Sequence, residues 1–178
     1  MKEKIKVGIV GYGNLGRGAE AAIAQQPDME LVAVFSRRGK VDTINPNTLS
    51  LHIDEAENYK DIIDVMILCG GSATDLPEQT PYFAQMFNTV DSYEYFASVD
   101  EVAKKHGKLS IISVGWDPGL FSINRVMSEA VLPDGKTYTF WGKGLSQGHS
   151  DAVRRVEGVK NGVQYTIPSE EAMDRVRK

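Results

Sequence analysis

The feature that most constrains this chain is Gly11-Tyr12-Gly13-Asn14-Leu15-Gly16, which fits G-x-G-x-x-G and stands directly behind the apolar run Ile5 to Val10. Glycine triplets alone arise in many tight turns, so the pattern takes its meaning from what flanks it. The run before it, IKVGIV, is short, apolar and ends in glycine, which is the pattern of a buried parallel strand. The segment behind it, Gly16 to Gln26, is alanine-rich and helical in character, and Pro27-Asp28 stops it. In a strand–turn–helix of this kind Gly11 permits the tight turn and Gly13 lets the backbone approach a pyrophosphate. Gly16 allows close helix–strand packing. Free N–H groups and the dipole at the helix N-terminus favour an anion there. Tyr12, Asn14 and Leu15 belong to the same candidate site. The bland reading is a tight turn without a ligand.

The rest of the chain repeats the alternation. Leu31 to Phe35 and Asp64 to Cys69 read as strands, Pro77 to Phe87 as a helix, and Asn88 to Asp91 as a short strand. Val99 to His106 reads as a helix closed by Gly107, and Leu109 to Val114 as a further strand; Asp42 to Ser50 is polar and turn-rich, hence a loop. Strands alternating with helices predict an α/β fold, a doubly wound parallel sheet of the Rossmann type. After Asp117-Pro118-Gly119 the texture changes. Leu120 to Val131 reads as an amphipathic helix, and Thr137 to Trp141 and Val163 to Ile167 carry β-branched and aromatic residues typical of strands. The expected organisation is a dinucleotide-binding domain over 1–118, then the start of a mixed α+β substrate and dimerisation domain over 119–178.

The end of the second strand selects the cofactor. A site for NAD usually places Asp or Glu there, accepting from the ribose hydroxyls. This chain instead has Ser36-Arg37-Arg38 about 20 residues after Gly16, with no acid at the strand tip. Arginine grips a phosphate bidentately and serine adds a donor, so NADP is the expected cofactor; two solvated surface arginines are the plain alternative. Gly71, Ser72, Ala73 and Thr74, at the end of a later strand, are small or hydroxylated and suit a ribose and nicotinamide. An ordinary strand-to-helix turn explains them almost as well. Cys69, the single cysteine, excludes an intrachain disulfide and reads as a small buried hydrophobe. The net charge of −4 argues against nucleic-acid binding. No segment approaches the ~18 apolar residues that span a bilayer, and no apolar leader precedes the first strand, so a soluble cytoplasmic protein is expected.

Both tryptophans fall in glycine-rich polar stretches, Gly115-Trp116-Asp117-Pro118-Gly119 and Phe140-Trp141-Gly142-Lys143-Gly144, instead of on an apolar stripe. Asp117 follows a strand at the C-terminal edge of the sheet, where open α/β folds bind ligands. A carboxylate there would hold a substrate ammonium; a turn and helix start is an equal reading of the pattern. Taken together, VGIVGYGNLGRG, FSRR, CGGSATDLPEQ, SVGWDPGLFSINR, TFWGKGLSQGHSDAVRR and QYTIPSE closely resemble the meso-diaminopimelate dehydrogenase family over nearly all of the chain, as its N-terminal portion.

The resemblance implies NADP-dependent oxidative deamination of meso-2,6-diaminopimelate at its D-centre, giving L-2-amino-6-oxopimelate and ammonia, reversibly. It implies a cytoplasmic homodimer serving lysine and cell-wall precursor synthesis. Carried over by position, Asp117 is the catalytic candidate, contacting the reacting amino group beside Trp116. Trp141, Gln147 and Gly148 frame the substrate, and Thr166 binds its distal amino-acid end. His149 reads either as the base that assists a hydrolytic water or as a hydrogen-bonded structural histidine. Compared with the family, the segment after Asp91-Ser92-Tyr93 is several residues shorter, where members carry an acidic polar loop near the substrate. Members also continue beyond position 178 with an arginine and a histidine for the distal carboxylate and much of the dimer interface.

Overall fold

The computed structural model describes residues 3–71, 74–92, 99–115, 119–135, 144–146, 150, 153–154 and 156–177, with backbone alone at 144–146, 176 and 177. In chain order these form β1 (Ile5–Val10), α1 (Asn14–Ile23), β2 (Met29–Ser36), β3 (Leu49–His52), a 3-10 helix (Ile53–Tyr59), β4 (Val65–Leu68) and α2 (Leu76–Phe83). Then follow β5 (Asn88–Asp91), α3 (Val99–Lys105), β6 (Ser110–Ile111), α4 (Leu120–Val131), β7 (Gly144–Ser146), β8 (Gln164–Thr166) and α5 (Glu170–Arg177). The chain divides into two compact units, Met1–Leu120 and Phe121–Lys178.

The first unit is a six-stranded sheet in the order β3-β2-β1-β4-β5-β6, parallel at every pairing. The strand order reverses direction between β1 and β4, which opens a crevice at the carboxyl ends of the central strands. Side chains alternate across the sheet with the two-residue period of a strand. Val10, Ala33, Phe35, Met66 and Leu68 enter one core with Ala56 of the 3-10 helix and Leu76 and Phe83 of α2. Val7, Ile9, Val34 and Cys69 enter the other with Ile23 of α1. Covering both faces is what a parallel sheet requires, and it explains why the central strands are almost wholly apolar. At Gly8 a side chain would strike Met66 Sδ at 2.6 Å, so β1 gives up a residue to let β4's side chain across.

The structure departs from the sequence reading at both sheet edges and in α2, which ends at Phe83 where the expected helix runs to Phe87. The expected loop over 42–50 ends early: β3 begins at Leu49 and pairs in parallel with β2, Ala33 opposite Leu49. Four residues, Leu49 exposed and the other three half-buried, give too short an alternation to read from sequence. At the opposite edge only Ser110 and Ile111 of the expected Leu109–Val114 strand are ladder residues. Ser113 adopts a φ of 60°, a left-handed conformation that turns the chain out of the sheet.

Helix α4 covers Leu120–Val131 as expected, its residues from Phe121 onward belonging to the second unit, where β7 and β8 form an antiparallel pair with Gly144 opposite Thr166. The expected strand over Thr137–Trp141 lies outside the described residues. Among the described residues, no helix is long and apolar enough to cross a membrane.

Candidate nucleotide-binding site

The turn after β1 gives each glycine of the triplet a distinct physical reason. Gly11 has a φ of +88° and donates its N–H to Phe35 O at 2.9 Å, which ties the turn to the end of β2. A Cβ at Gly16 would stand 2.3 Å from Gly11 O, so α1 packs on the turn only because that position is bare. Gly13, by contrast, has an ordinary φ of −94° and nothing within 4 Å of where its Cβ would be. Neither backbone conformation nor packing within the protein demands glycine at 13. The space above it is open, and Gly13 lines a cleft. Gly13 is also the N-cap of α1, has no side chain to cap with, and is followed by a first turn without acidic residues. The orphan N–H groups of that turn face no competing carboxylate from their own helix.

Beside this turn lies a cleft of about 260 Å³, lined by the β1–α1 turn, the tip of β2 and the start of the β4–α2 connection. Gly11, Tyr12, Gly13, Ser36, Arg37, Arg38 and Gly71 line it, together with Cys69, Asp75 and Gln79. Of the other expected cofactor residues, Asn14, Leu15 and Gly16 form the first turn of α1 behind Gly13, and Thr74 stands exposed beyond the lining. Ser72 and Ala73 lie outside the described residues. Cys69 is buried, and burial pushes its thiol up to about 12, so it stays protonated and serves as wall and not as nucleophile.

The two arginines at the tip of β2 are not equivalent. Arg37 makes a two-point ion pair across the cleft, Nη1 to Asp75 Oδ1 at 3.0 Å and Nη2 to Asp75 Oδ2 at 3.1 Å. Asp75 Oδ2 also accepts from Gly71 N at 2.9 Å, which locks the carboxylate against the β4–α2 connection. Among the described residues, Arg38 is anchored by its main chain, its N–H donating to Ser36 Oγ at 3.2 Å, and by a long 3.4 Å contact from Nη2 to Tyr12 O. Asp75 was not singled out from the sequence. It reads there as one more polar residue at a helix start, and only the fold brings it opposite Arg37.

A second feature invisible in the sequence is Glu20, buried at 3% exposure on α1. Its carboxylate accepts from Tyr12 OH, from Ile44 N at 3.1 Å, from Asn45 N at 3.2 Å and from Thr48 Oγ1 at 2.9 Å. Burial alone would raise its pKa, but the bonds from Tyr12, Asn45, Ile44 and Thr48 outweigh it and hold Glu20 below the ordinary value. Burial and then Glu20 push the Tyr12 phenol up, so it remains the donor. Arg17 lies over the Tyr12 ring, 5.7 Å from its centroid. The middle residue of the glycine turn is thereby tied to both α1 and the loop that precedes β3. A lone glutamate on a helix usually marks a solvated face, and the loop donors lie more than 20 residues away in sequence.

Of the expected substrate residues, Thr166 is described, half-buried at the end of β8. Trp116, Asp117, Trp141, Gln147 and Gly148, with His149, lie outside the described residues.

A parallel sheet in this order, with a bare glycine turn facing a cleft at its carboxyl edge, defines a Rossmann-type dinucleotide-binding fold. Residues 115–178 match the model of the diaminopimelic acid dehydrogenase C-terminal domain. The meso-diaminopimelate D-dehydrogenase of Ureibacillus thermosphaericus is 67% identical over 182 residues, covering 98% of this chain and 56% of that protein. The crystal structure of Corynebacterium glutamicum diaminopimelate (DAP) dehydrogenase in complex with DAP is 50% identical with a TM-score of 0.72, over 98% of this chain and 56% of that one. An engineered D-amino acid dehydrogenase bound to NADP+ is 49% identical with a TM-score of 0.76, with the same coverages. In sequence this chain is similar over almost all of its length to meso-diaminopimelate D-dehydrogenases, and it spans a little over half the length of the curated relatives it matches. The 182-residue match exceeds the 178 residues of the chain, so the relative carries at least four residues inside the matched span that this chain lacks.

Proposed function

We propose that the cleft binds NADP(H), and that the full-length protein of this family to which the chain corresponds deaminates meso-2,6-diaminopimelate oxidatively at its D-centre. The observation that carries the reading is the open space at Gly13 beside an arginine-bearing strand tip. A dinucleotide fits these residues. Its pyrophosphate would lie on the N-terminus of α1, and a 2′-phosphate would meet Ser36 and Arg38. Arg37 is the poorer phosphate ligand, because its guanidinium fork is already taken by Asp75. It serves as a planar wall of the nucleotide pocket instead. The NADP+ bound by the engineered relative agrees with this choice.

When bound, NADP supplies a hydride acceptor. The protein's part is to hold the substrate's α-hydrogen toward it, and Asp117 beside Trp116 is assigned to fix the reacting amino group. Trp141, Gln147, Gly148 and Thr166 frame the rest of the amino acid. The product imine is hydrolysed to L-2-amino-6-oxopimelate and ammonia. A cytoplasmic homodimer in lysine and cell-wall precursor synthesis completes the reading, and the domain roles are cofactor binding over 1–118 and substrate and dimer contacts from 119.

The test is NADPH absorbance formed from NADP and meso-diaminopimelate, with LL-diaminopimelate and NAD as controls. Turnover confined to the meso isomer and NADP supports the reading, and turnover with either control as fast overturns it. Asp117→Ala is expected to cut turnover and leave NADPH affinity nearly intact; unchanged turnover removes Asp117 from the site. The described lining of the cleft lies within the first unit, which favours one second reading, a module that holds NADPH without turnover. Tight NADPH binding with no product would support that reading.

A further inference from the structure

Gln79, in the first turns of α2, lines the cleft together with the glycine turn. Its Oε1 is buried, and among the described residues no hydrogen-bond partner reaches it. A buried acceptor left without a donor is unfavourable, and such atoms are rare enough that each calls for a reason. The backbone beneath it gives a second sign. Gly70 has no positive φ, so its conformation does not demand glycine. A Cβ there would stand 2.6 Å from Gln79 Oε1 and 2.8 Å from Asp75 Cβ. The chain keeps position 70 bare at the one place where the Gln79 amide comes up to the strand end. Asp75, the neighbouring polar group, is itself an acceptor engaged by Arg37 and Gly71, so it has no proton to offer.

We infer that Gln79 Oε1 is a ligand-binding atom that waits for a donor on the bound nucleotide, a ribose hydroxyl or a ring amine. A phosphate oxygen, being an acceptor, cannot satisfy it. The inference rests on the cofactor reading above and extends it to a residue that acts on the nucleoside part common to NADPH and NADH. It therefore separates affinity from cofactor choice: Ser36 and Arg38 act on the 2′-phosphate, and Gln79 acts on both cofactors alike.

The test uses Gln79→Met, which keeps the length of the side chain and removes the oxygen, in the full chain. Two quantities are read: the Tm of the ligand-free protein, and the Kd for NADPH and NADH by fluorescence titration. An atom reserved for a ligand predicts opposite signs. Tm rises by about 2–4 °C, because the orphan acceptor is gone, and both affinities fall by about tenfold, by the same factor. Gly70→Ala, which pushes the amide aside, should lower both affinities in the same way. Unchanged affinities in Gln79→Met overturn the assignment, as does a fall in Tm, which would make Gln79 a structural residue. A parent chain that binds neither cofactor overturns the cofactor reading itself, and this inference with it.

Discussion

The two units use similar sequence patterns to different ends. In the first, Ile9, Val10, Val34, Phe35, Met66 and Leu68 are wholly buried, and α1 turns Ile23 into the core beneath it. In the second, α4 carries an equally clear apolar stripe, yet none of its residues is buried. Ile123, Val126 and Met127, spaced to share one helix face, are 63%, 67% and 64% exposed, and Tyr165 on β8 is 66% exposed. An amphipathic pattern states which face wants cover; it does not state that the cover is supplied by the same residues. The described lining of the cleft runs from Gly11 to Gln79, inside the first unit. The cleft is thus built on the packing of the first unit.

The sharpest way to break this contrast is a pair of truncations. Phe35→Ala, in the middle of the sheet, should lower unfolding free energy by about 3–5 kcal/mol in urea titration followed by circular dichroism. Met127→Ala, on the open face of α4, should change it by no more than about 0.5 kcal/mol. A loss at Met127 as large as that at Phe35 would mean that α4 is covered in solution, and the contrast would fail.

The next effect lies within the first unit and separates Arg38 from Arg37. Arg38→Ala should weaken NADPH binding by about 10–100-fold, the loss of a charge-assisted bond to phosphate, with little change for NADH. Arg37→Ala should weaken both cofactors by a similar, smaller factor, since its fork serves Asp75. A loss confined to NADPH in Arg37→Ala would return the phosphate to Arg37 and undo the division.

That division also marks where sequence reading stops. The strand before Gly11, the helix behind it and the arginines at the tip of β2 were legible because each depends on neighbours close in the chain. The triplet even carried its own stereochemistry: Gly11 does hold a positive φ and Gly16 does press on the turn. The partners of those groups were not legible. Asp75 reaches Arg37 from 38 residues away, and Glu20 gathers donors from 24 and 25 residues on, so only the parallel crossovers bring them together. β3 was lost for a related reason. Its four residues pair with β2 across the sheet, and that pairing decides its state more than local propensity does. At the substrate side the family resemblance supplied Asp117, Trp116 and their companions, since their surroundings alone read equally well as turns.

The smallest effect tests whether the glycine turn is held by the core of its own unit or by the buried carboxylate beside it. Glu20 has its pKa lowered in the folded chain, against the pull of burial, by four hydrogen bonds. A depressed acid contributes stability that is fully present above its unfolded value and is lost as pH falls through its folded value. The relevant window therefore opens below the ordinary glutamate range, about pH 4.3. Glu20→Gln keeps the shape but replaces one acceptor oxygen with a donor facing Tyr12, Thr48 and the N–H groups of Ile44 and Asn45. At neutral pH it should be less stable by on the order of 1 kcal/mol. The deficit should shrink as the parent is acidified through that window, because the parent then loses what the variant never had. Stability curves for both proteins between pH 7 and 3 provide the check. A deficit that stays constant to pH 3 would mean that Glu20 acts through shape alone, and that the core of the first unit, not its buried charge, fixes the turn.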